Sequence, residues 1–239
     1  PIYFVTFELP ALLLEKIFYF SDTRSQSFFK HYLIFLVSFI GSIFFYFIAL
    51  KKFNCWKLAL LGTLFLVSSP RIFAESFYNS KDIIFMYFFI TNTFFAIIFL
   101  EKPNKFNSIM LSFVTALCIG VRVGGIILTI VVLYFLWIKY LRKDYNFKIT
   151  NSILTLFLSL TFFIILFWPS LWENPINNFI HAMTSFSNYD HEMFNFYLGS
   201  FIPAQANYWY YIPLWISITT PLLIIIFFIY GFLLSIRRI

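Results

Sequence analysis

Apolar runs that approach or exceed the length needed to cross a bilayer recur along this chain, at about 31 to 50, 57 to 69, 83 to 100, 108 to 120, 123 to 138, 151 to 169 and 213 to 236. A helix rises about 1.5 Å per residue, so a hydrocarbon core of about 30 Å takes roughly 17 to 25 residues. No water reaches the backbone inside that layer, and only helices or closed barrels satisfy every N–H and C=O there. Continuous runs of this length specify helices. The chain therefore reads as all-α, a polytopic transmembrane helical bundle of about seven spans. Composition excludes the soluble alternative, since 61% hydrophobic and 11% charged residues, with a mean hydropathy of +0.85, leave too little polar surface to cover a globule. The 37 Phe residues are read as codon usage ahead of a lipid-binding groove.

Charge orients the runs. The stretch from 108 to 138 is too long for one upright span and is broken by Gly120, Arg122, Gly124 and Gly125. Reading it as two spans places Lys51, Lys52, Lys57, Lys102, Lys105, Lys139, Arg142, Lys143, Lys148, Arg237 and Arg238 on one face, most of the 17 cations in the chain. By the positive-inside rule this face is cytoplasmic. The opposite face receives Glu8, Glu15, Asp22, Glu75, Asp82, Glu173, Asp190 and Glu192, with His31, His181 and His191. A net charge of +7 distributed in this way marks orientation and forms no basic stripe for nucleic acid. Cys55 and Cys118 fall at opposite faces, out of disulfide reach. The start at Pro1, with no signal-peptide pattern in the first thirty residues, leads to the expectation of a fragment lacking its N-terminus. The whole of 1–239 is expected to form one membrane-embedded domain: 1–30 an outward loop, 31–169 transmembrane helices, 170–212 a second long outward loop and 213–236 the final span.

Two interfacial helices are expected in the outward loops. Leu9, Leu12, Leu13, Ile17 and Phe20 follow helical spacing near the start, and Asn174-Pro175 opens a second helix with a stripe of Ile176, Phe179, Ile180, Met183 and Phe186. Tyr208 to Tyr211 suit a headgroup-level anchor.

The chemistry is expected between Ser69 and Asp82, where Arg71, Glu75, Lys81 and Asp82 interrupt the apolar pattern. Asn79 or Ser80 can cap the next span and leave Asp82 in its first turn, which would explain Asp82 without catalysis. Glu75 reads equally as a functional carboxylate and as a plain ion pair to Arg71. Arg122, costly in a span, reads equally as a bidentate anion grip and as a carboxylate-paired structural residue. His181 and His191 lack paired ligand spacing, and Asp190-His191-Glu192 is a solvated cluster; no cofactor or metal is called, a divalent ion on Asp82 and Glu75 being conceivable but unsupported.

The runs SPRIFAESFYNSKDI (69–83), GVRVGG (120–125), WPSLWENP (168–175), WYYIP (209–213) and ITTP (218–221) resemble bacterial polytopic glycosyltransferases similar to the dolichyl-phosphate-mannose-protein mannosyltransferases, of the membrane-embedded glycosyltransferase C fold. The resemblance implies transfer of a sugar from a polyprenyl-phosphate donor to a lipid, glycan or protein acceptor on the outer, periplasmic face of a bacterial inner membrane, with inversion. It implies a general base in a first outward loop whose start is expected to be missing here, with Glu8 or Asp22 near the site, and it matches Asp82 to an acidic position that lines the site in relatives. The carboxylates available for catalysis are Asp82, Glu75 and Glu8, the cations available for the phosphate are Arg122, Arg71 and Lys81, and Trp172, Glu173 and Asn174 are the substrate-binding candidates. The alternative is a transporter or lipid-linked glycan flippase without transferase chemistry.

Overall fold

The computed structural model describes residues 5–20, 22–142, 147–187, 194–203 and 208–237. Its elements are α1 (Val5–Ile17), α2 (Thr23–Phe53), α3 (Trp56–Val67), α4 (Pro70–Tyr78), α5 (Asp82–Glu101), α6 (Lys105–Val121), α7 (Ile126–Leu141), α8 (Phe147–Phe167), α9 (Pro175–Ser187), β1 (Phe194–Tyr197), β2 (Ser200–Pro203), α10 (Tyr211–Thr219) and α11 (Leu222–Ile236). The bundle is helical, as hydropathy requires, and the strands form one small hairpin.

Local chemistry sets the helix ends. Asp22 caps α2 by accepting the Ser25 N–H at 2.8 Å, and Asn54 ends it in the left-handed conformation with φ 48 after Lys51 and Lys52 in the last turn. Asn104 caps α6 in the same way, accepting from the Asn107 N–H at 2.9 Å.

Among the described residues four segments are long and apolar enough to cross a membrane: Thr23–Phe53, Asp82–Glu101, Val123–Leu141 and Thr150–Phe167. Two bent pairs raise the number to six if each is one span: α3 with α4, bent by 67°, and α10 with α11, bent by 119°. The last corrects the expectation of an uninterrupted span over 213 to 236. Pro221 removes an N–H and disfavours helical backbone at Thr220, which is extended at φ −99, ψ 132.

The stretch from 108 to 138 does form two helices. Lys51 Nζ meets Glu101 Oε2 at 2.6 Å, joining the ends of α2 and α5, and Lys139 Nζ donates to the Leu100 carbonyl, bringing the end of α7 to the same place. α6 departs from this basic end and α7 returns to it. Between them a 3-10 turn, Val123–Gly125, folds back on the last turn of α6, where a Cβ on Gly125 would lie 2.8 Å from Ile119 N and 2.9 Å from Cys118 C. No larger residue fits.

Packing between the helices relies on small and hydroxylated residues, as is usual where lipid removes any hydrophobic drive between helices. Ser108 and Ser112 of α6 donate to the Ser152 and Leu156 carbonyls of α8, each at 2.8 Å, and Ser159 donates to Ser112 at 2.8 Å. Thr115 donates to Asn92 Oδ1 of α5 at 2.8 Å, with Asn92 fully buried. Gly41 of α2 admits Tyr87 of α5, since a Cβ there would lie 2.5 Å from the ring. Large apolar side chains such as Ile130, Leu158 and Phe162 point out of the bundle, the reverse of a water-soluble core.

Helices form at both places where interfacial helices were expected, and they dock mainly through residues other than the apolar stripes. On α1, Leu9, Leu12, Leu13 and Ile17 are exposed, while Thr6, Phe7 and Ala11 are buried. On α9, Ile176 and Ile180 are exposed, while Ala182 and Phe179 pack with Trp168, Leu171 and Ile119. Phe20 lies past the end of α1, in ring contact with Phe18 and Phe29. The side chains of Met183 and Phe186 lie outside the described residues.

Candidate functional site

At the end of the bundle opposite the basic one, the linker from α4 into α5 is organised by a single asparagine. Asn79 Oδ1 accepts the backbone N–H groups of Lys81 at 3.0 Å and Asp82 at 2.9 Å, satisfying two donors that a helix start leaves open. Its Nδ2 donates to Glu75 Oε2 at 2.9 Å, and Glu75 Oε1 accepts from Arg71 Nε at 3.0 Å. Arg71, Glu75 and Asn79 recur every four residues, so they share a face and form a chain. Glu75 thus has both oxygens engaged and is largely covered. Of its two readings, the structure displays the ion pair, extended into the cap of α5.

Capping by Asn79 leaves the Asp82 carboxylate free for another partner. That partner is Arg122, whose Nη2 donates to Asp82 Oδ1 across 40 residues of sequence. Arg122 reaches it because α6 ends at Val121 and its own backbone is extended, φ −145, ψ 132. The pair is open to solvent, with side chains 51% and 59% exposed. Among the described residues the Arg122 side chain bonds to Asp82 alone. A guanidinium carries five N–H donors, so most of its donor capacity remains for an anion. The anion-grip and carboxylate-pair readings of Arg122 are therefore compatible.

Glu8 enters from α1. Thr6 Oγ1 donates to the Leu117 carbonyl at 3.0 Å, and Gly120 leaves the space for Thr6, because a Cβ there would lie 2.2 Å from Thr6 Cγ2. With α1 held in this way, Glu8 Oε1 accepts from Ser80 Oγ at 3.2 Å and Oε2 meets Lys30 Nζ of α2 at 2.7 Å. Ser80 is two residues from Asp82, so four elements bring Glu8, Lys30, Asp82 and Arg122 to one end of the bundle. Lys30 was not singled out from the sequence. Its signal was its sign, a cation at the start of a span on the face that collects the carboxylates.

The remaining candidates lie around this cluster or on the segment after α8. Lys81 is exposed beside Asp82. Trp172 is exposed, and its Nε1–H donates to the Ile165 carbonyl at 2.7 Å, closing an open end of α8. The Asn174 carbonyl accepts the Asn178 N–H at 2.9 Å and so begins α9; Glu173 is exposed. Among the described residues no hydrogen bond or ion pair joins Trp172, Glu173 or Asn174 to the Asp82–Arg122 pair. The segment is nevertheless docked nearby, since Trp168 and Leu171 pack on Ile119 and Val123, which flank the Arg122 turn.

No three His, Cys, Asp or Glu side chains converge among the described residues. The cluster Asp190-His191-Glu192 lies outside them. Cys55 and Cys118 are free thiols. Comparison with protein-family models, with curated proteins and with solved structures finds no match to this chain.

Proposed function

We propose that the protein is a multi-pass membrane glycosyltransferase that moves a sugar, with inversion, from a polyprenyl-phosphate donor to an acceptor hydroxyl. In this reading the fold is a glycosyltransferase C-like bundle of about seven spans, the two bent pairs and the shorter α6 each crossing the bilayer. The membrane is the bacterial inner membrane, with the Asp82 end periplasmic and the basic end cytoplasmic. The observation that carries the proposal is the convergence of two carboxylates and two cations from α1, α2, α5 and the end of α6, half-exposed at one end of an apolar bundle.

Such a site suits the reaction. A polyprenyl-phosphate sugar brings its own leaving group, so the demands on the protein are to offset negative charge on the departing phosphate and to take a proton from the attacking hydroxyl. Arg122 is aimed by Asp82 and keeps donors for the phosphate; Arg71 and Lys81 lie on the adjoining segment. Glu8, steadied by Lys30 and Ser80, is the carboxylate placed to accept the proton. The rival reading, a transporter or glycan flippase, calls for charge along a path through the spans. Among the described residues no Lys, Arg, Asp or Glu is buried, which favours chemistry at the end of the bundle.

The test is transfer from a polyprenyl-phosphate sugar by the purified full-length protein. Arg122→Lys should lower turnover by about 10²- to 10³-fold, the usual cost of losing a preorganised donor, because Lys offers no planar fork. Glu8→Gln should lower it by about 10²- to 10⁴-fold, the usual contribution of general base catalysis. Near-normal rates in both variants would overturn the proposal.

A further inference from the structure

The hairpin between α9 and α10 presents an exposed apolar face. Residues opposite each other in an antiparallel ladder share a face, so Phe196 with Phe201 and Phe194 with Pro203 lie on one side, and Tyr197 with Ser200 on the other. On the first side the Phe196 and Phe201 rings meet at 5.2 Å. Phe194, Phe196 and Phe201 are 65%, 63% and 73% exposed, and Leu198 at the tip is 67% exposed. No charged residue occurs between Phe194 and Pro203. In water such a hairpin would be an invitation to aggregate.

The turn repeats the pattern. Leu198 and Gly199 have φ 51 and φ 84, both positive, as a two-residue turn of the type that matches strand twist demands. Asn, Asp or Gly adopts the first of these positions readily, and a leucine does so only at a conformational cost. The chain nonetheless carries an exposed apolar side chain there.

The other face shows at what depth the hairpin sits. Tyr197 is buried, its ring 4.8 Å from Tyr211 and 6.4 Å from Tyr210. These two tyrosines belong to the Tyr208-Trp209-Tyr210-Tyr211 stretch that leads into α10, with Trp209 87% exposed. Amphipathic rings of this kind collect where headgroups meet hydrocarbon. α10 and α11 bury none of their residues against the protein, so their apolar sides are left for lipid. Tyr197 thus ties the hairpin to the segment that leads into α10, and the phenylalanine face is the side turned away from that contact.

We infer that the face formed by Phe194, Phe196, Leu198 and Phe201 inserts into the adjoining bilayer leaflet, where acyl chains cover it. The hairpin is a membrane anchor at the level of the Tyr208 to Tyr211 belt, independent of what reaction the bundle performs.

Single cysteines at Phe196→Cys, Phe201→Cys and Ser200→Cys, each in a Cys55→Ser background that leaves only the buried Cys118, carry an environment-sensitive fluorophore. The full-length protein is placed in phosphatidylcholine vesicles free of polyprenyl lipid, which removes a donor tail as the covering group. Labels at Phe196→Cys and Phe201→Cys should emit to the blue and lose most of their emission to lipids bearing a nitroxide near the glycerol. The Ser200→Cys label, on the opposite face, should lose much less. A Leu198→Cys label reports depth with both phenylalanine rings intact, so a hairpin weakened by loss of one ring still gives an answer. Quenching of the Phe196→Cys, Phe201→Cys and Leu198→Cys labels by aqueous iodide and not by nitroxide lipid would overturn the inference. Protection from both quenchers would overturn it as well, showing a second copy or another segment on that face.

Discussion

Gly120→Ala tests whether one close contact delivers Glu8 to the site. The added Cβ would lie 2.2 Å from Thr6 Cγ2. Carbon atoms in contact sit about 3.5 to 4.0 Å apart, so Thr6 must retreat by roughly 1.3 to 1.8 Å, the difference between that spacing and the cited distance. Such a shift stretches the 3.0 Å bond from Thr6 Oγ1 to the Leu117 carbonyl beyond hydrogen-bonding range. Overpacking typically costs about 1 to 3 kcal/mol and the lost bond about 0.5 to 1.5 kcal/mol. Replacing Gly by Ala in a helix returns roughly 0.5 to 1 kcal/mol. Central values leave a net cost of about 2 kcal/mol to the docking of α1. At 1.4 kcal/mol per decade, the undocked population rises about 30-fold. Ala11 of α1 is 2% exposed, so a cysteine placed there in the Cys55→Ser background reports undocking through its labelling by a membrane-impermeant maleimide. Labelling should accelerate by a similar factor in Gly120→Ala. Adding Thr6→Ser removes the clashing methyl and should restore protection, since the nearest remaining Thr6 atoms, Oγ1 and Cβ, are at 3.1 and 3.2 Å. Unchanged labelling in Gly120→Ala, or no rescue by Thr6→Ser, would refute the contact as what holds α1.

Buried polarity gives a second test: Asn92 Nδ2 has no partner among the described residues, and Thr115→Val would strand Oδ1 as well. That substitution should lower stability in detergent by about 1 kcal/mol or more, whereas the double change Asn92→Leu with Thr115→Val, which makes both partners apolar, should be nearly neutral; the opposite ranking in thermal unfolding would refute this account. At the start of α2, the Ser25 N–H holds the Asp22 carboxyl below its ordinary value of 3.8. A depressed folded value means that the cap contributes fully above the unfolded pKa and is lost as pH falls through the folded one, so the protection of the Ser25 amide relative to its intrinsic exchange rate at each pH should fall on acidification and be independent of pH in that range in Asp22→Asn.

Where physics acts locally, the sequence was legible. The glycines from 120 to 125 announced that the stretch from 108 to 138 turns back, and the turn does need Gly125 against Cys118 and Ile119. Asn79 was a visible cap for α5, and it caps that helix. Hydropathy was silent on the docking of α1, because the apolar stripe expected to lie on the interface is exposed and the contact surface is Thr6, Phe7 and Ala11. In lipid, small residues decide where helices meet, and they leave no periodic signal. The bond from Ser80 to Glu8 spans 72 residues and the pair of Arg122 with Asp82 spans 40, distances over which no spacing rule operates. The break between α10 and α11 was written in Thr220-Pro221 and hidden by the unbroken apolarity around it.

The serine bonds between α6 and α8 have a mechanical consequence. Ser108 and Ser112 hold carbonyls four residues apart, Ser152 and Leu156, so the two helices are geared together one turn at a time. Sliding by anything less than a full turn breaks both bonds together, which makes α6 and α8 a stator. Arg122, fixed to the end of α6, therefore stays still. α1 is joined to α6 by one hydroxyl, a glycine notch and the packing of Phe7 on Val121, with no second side-chain hydrogen bond between the two helices among the described residues. Release of α1, as expected in Gly120→Ala, would therefore carry Glu8 away from a stationary Arg122, and maleimide access at Ala11→Cys would follow it directly.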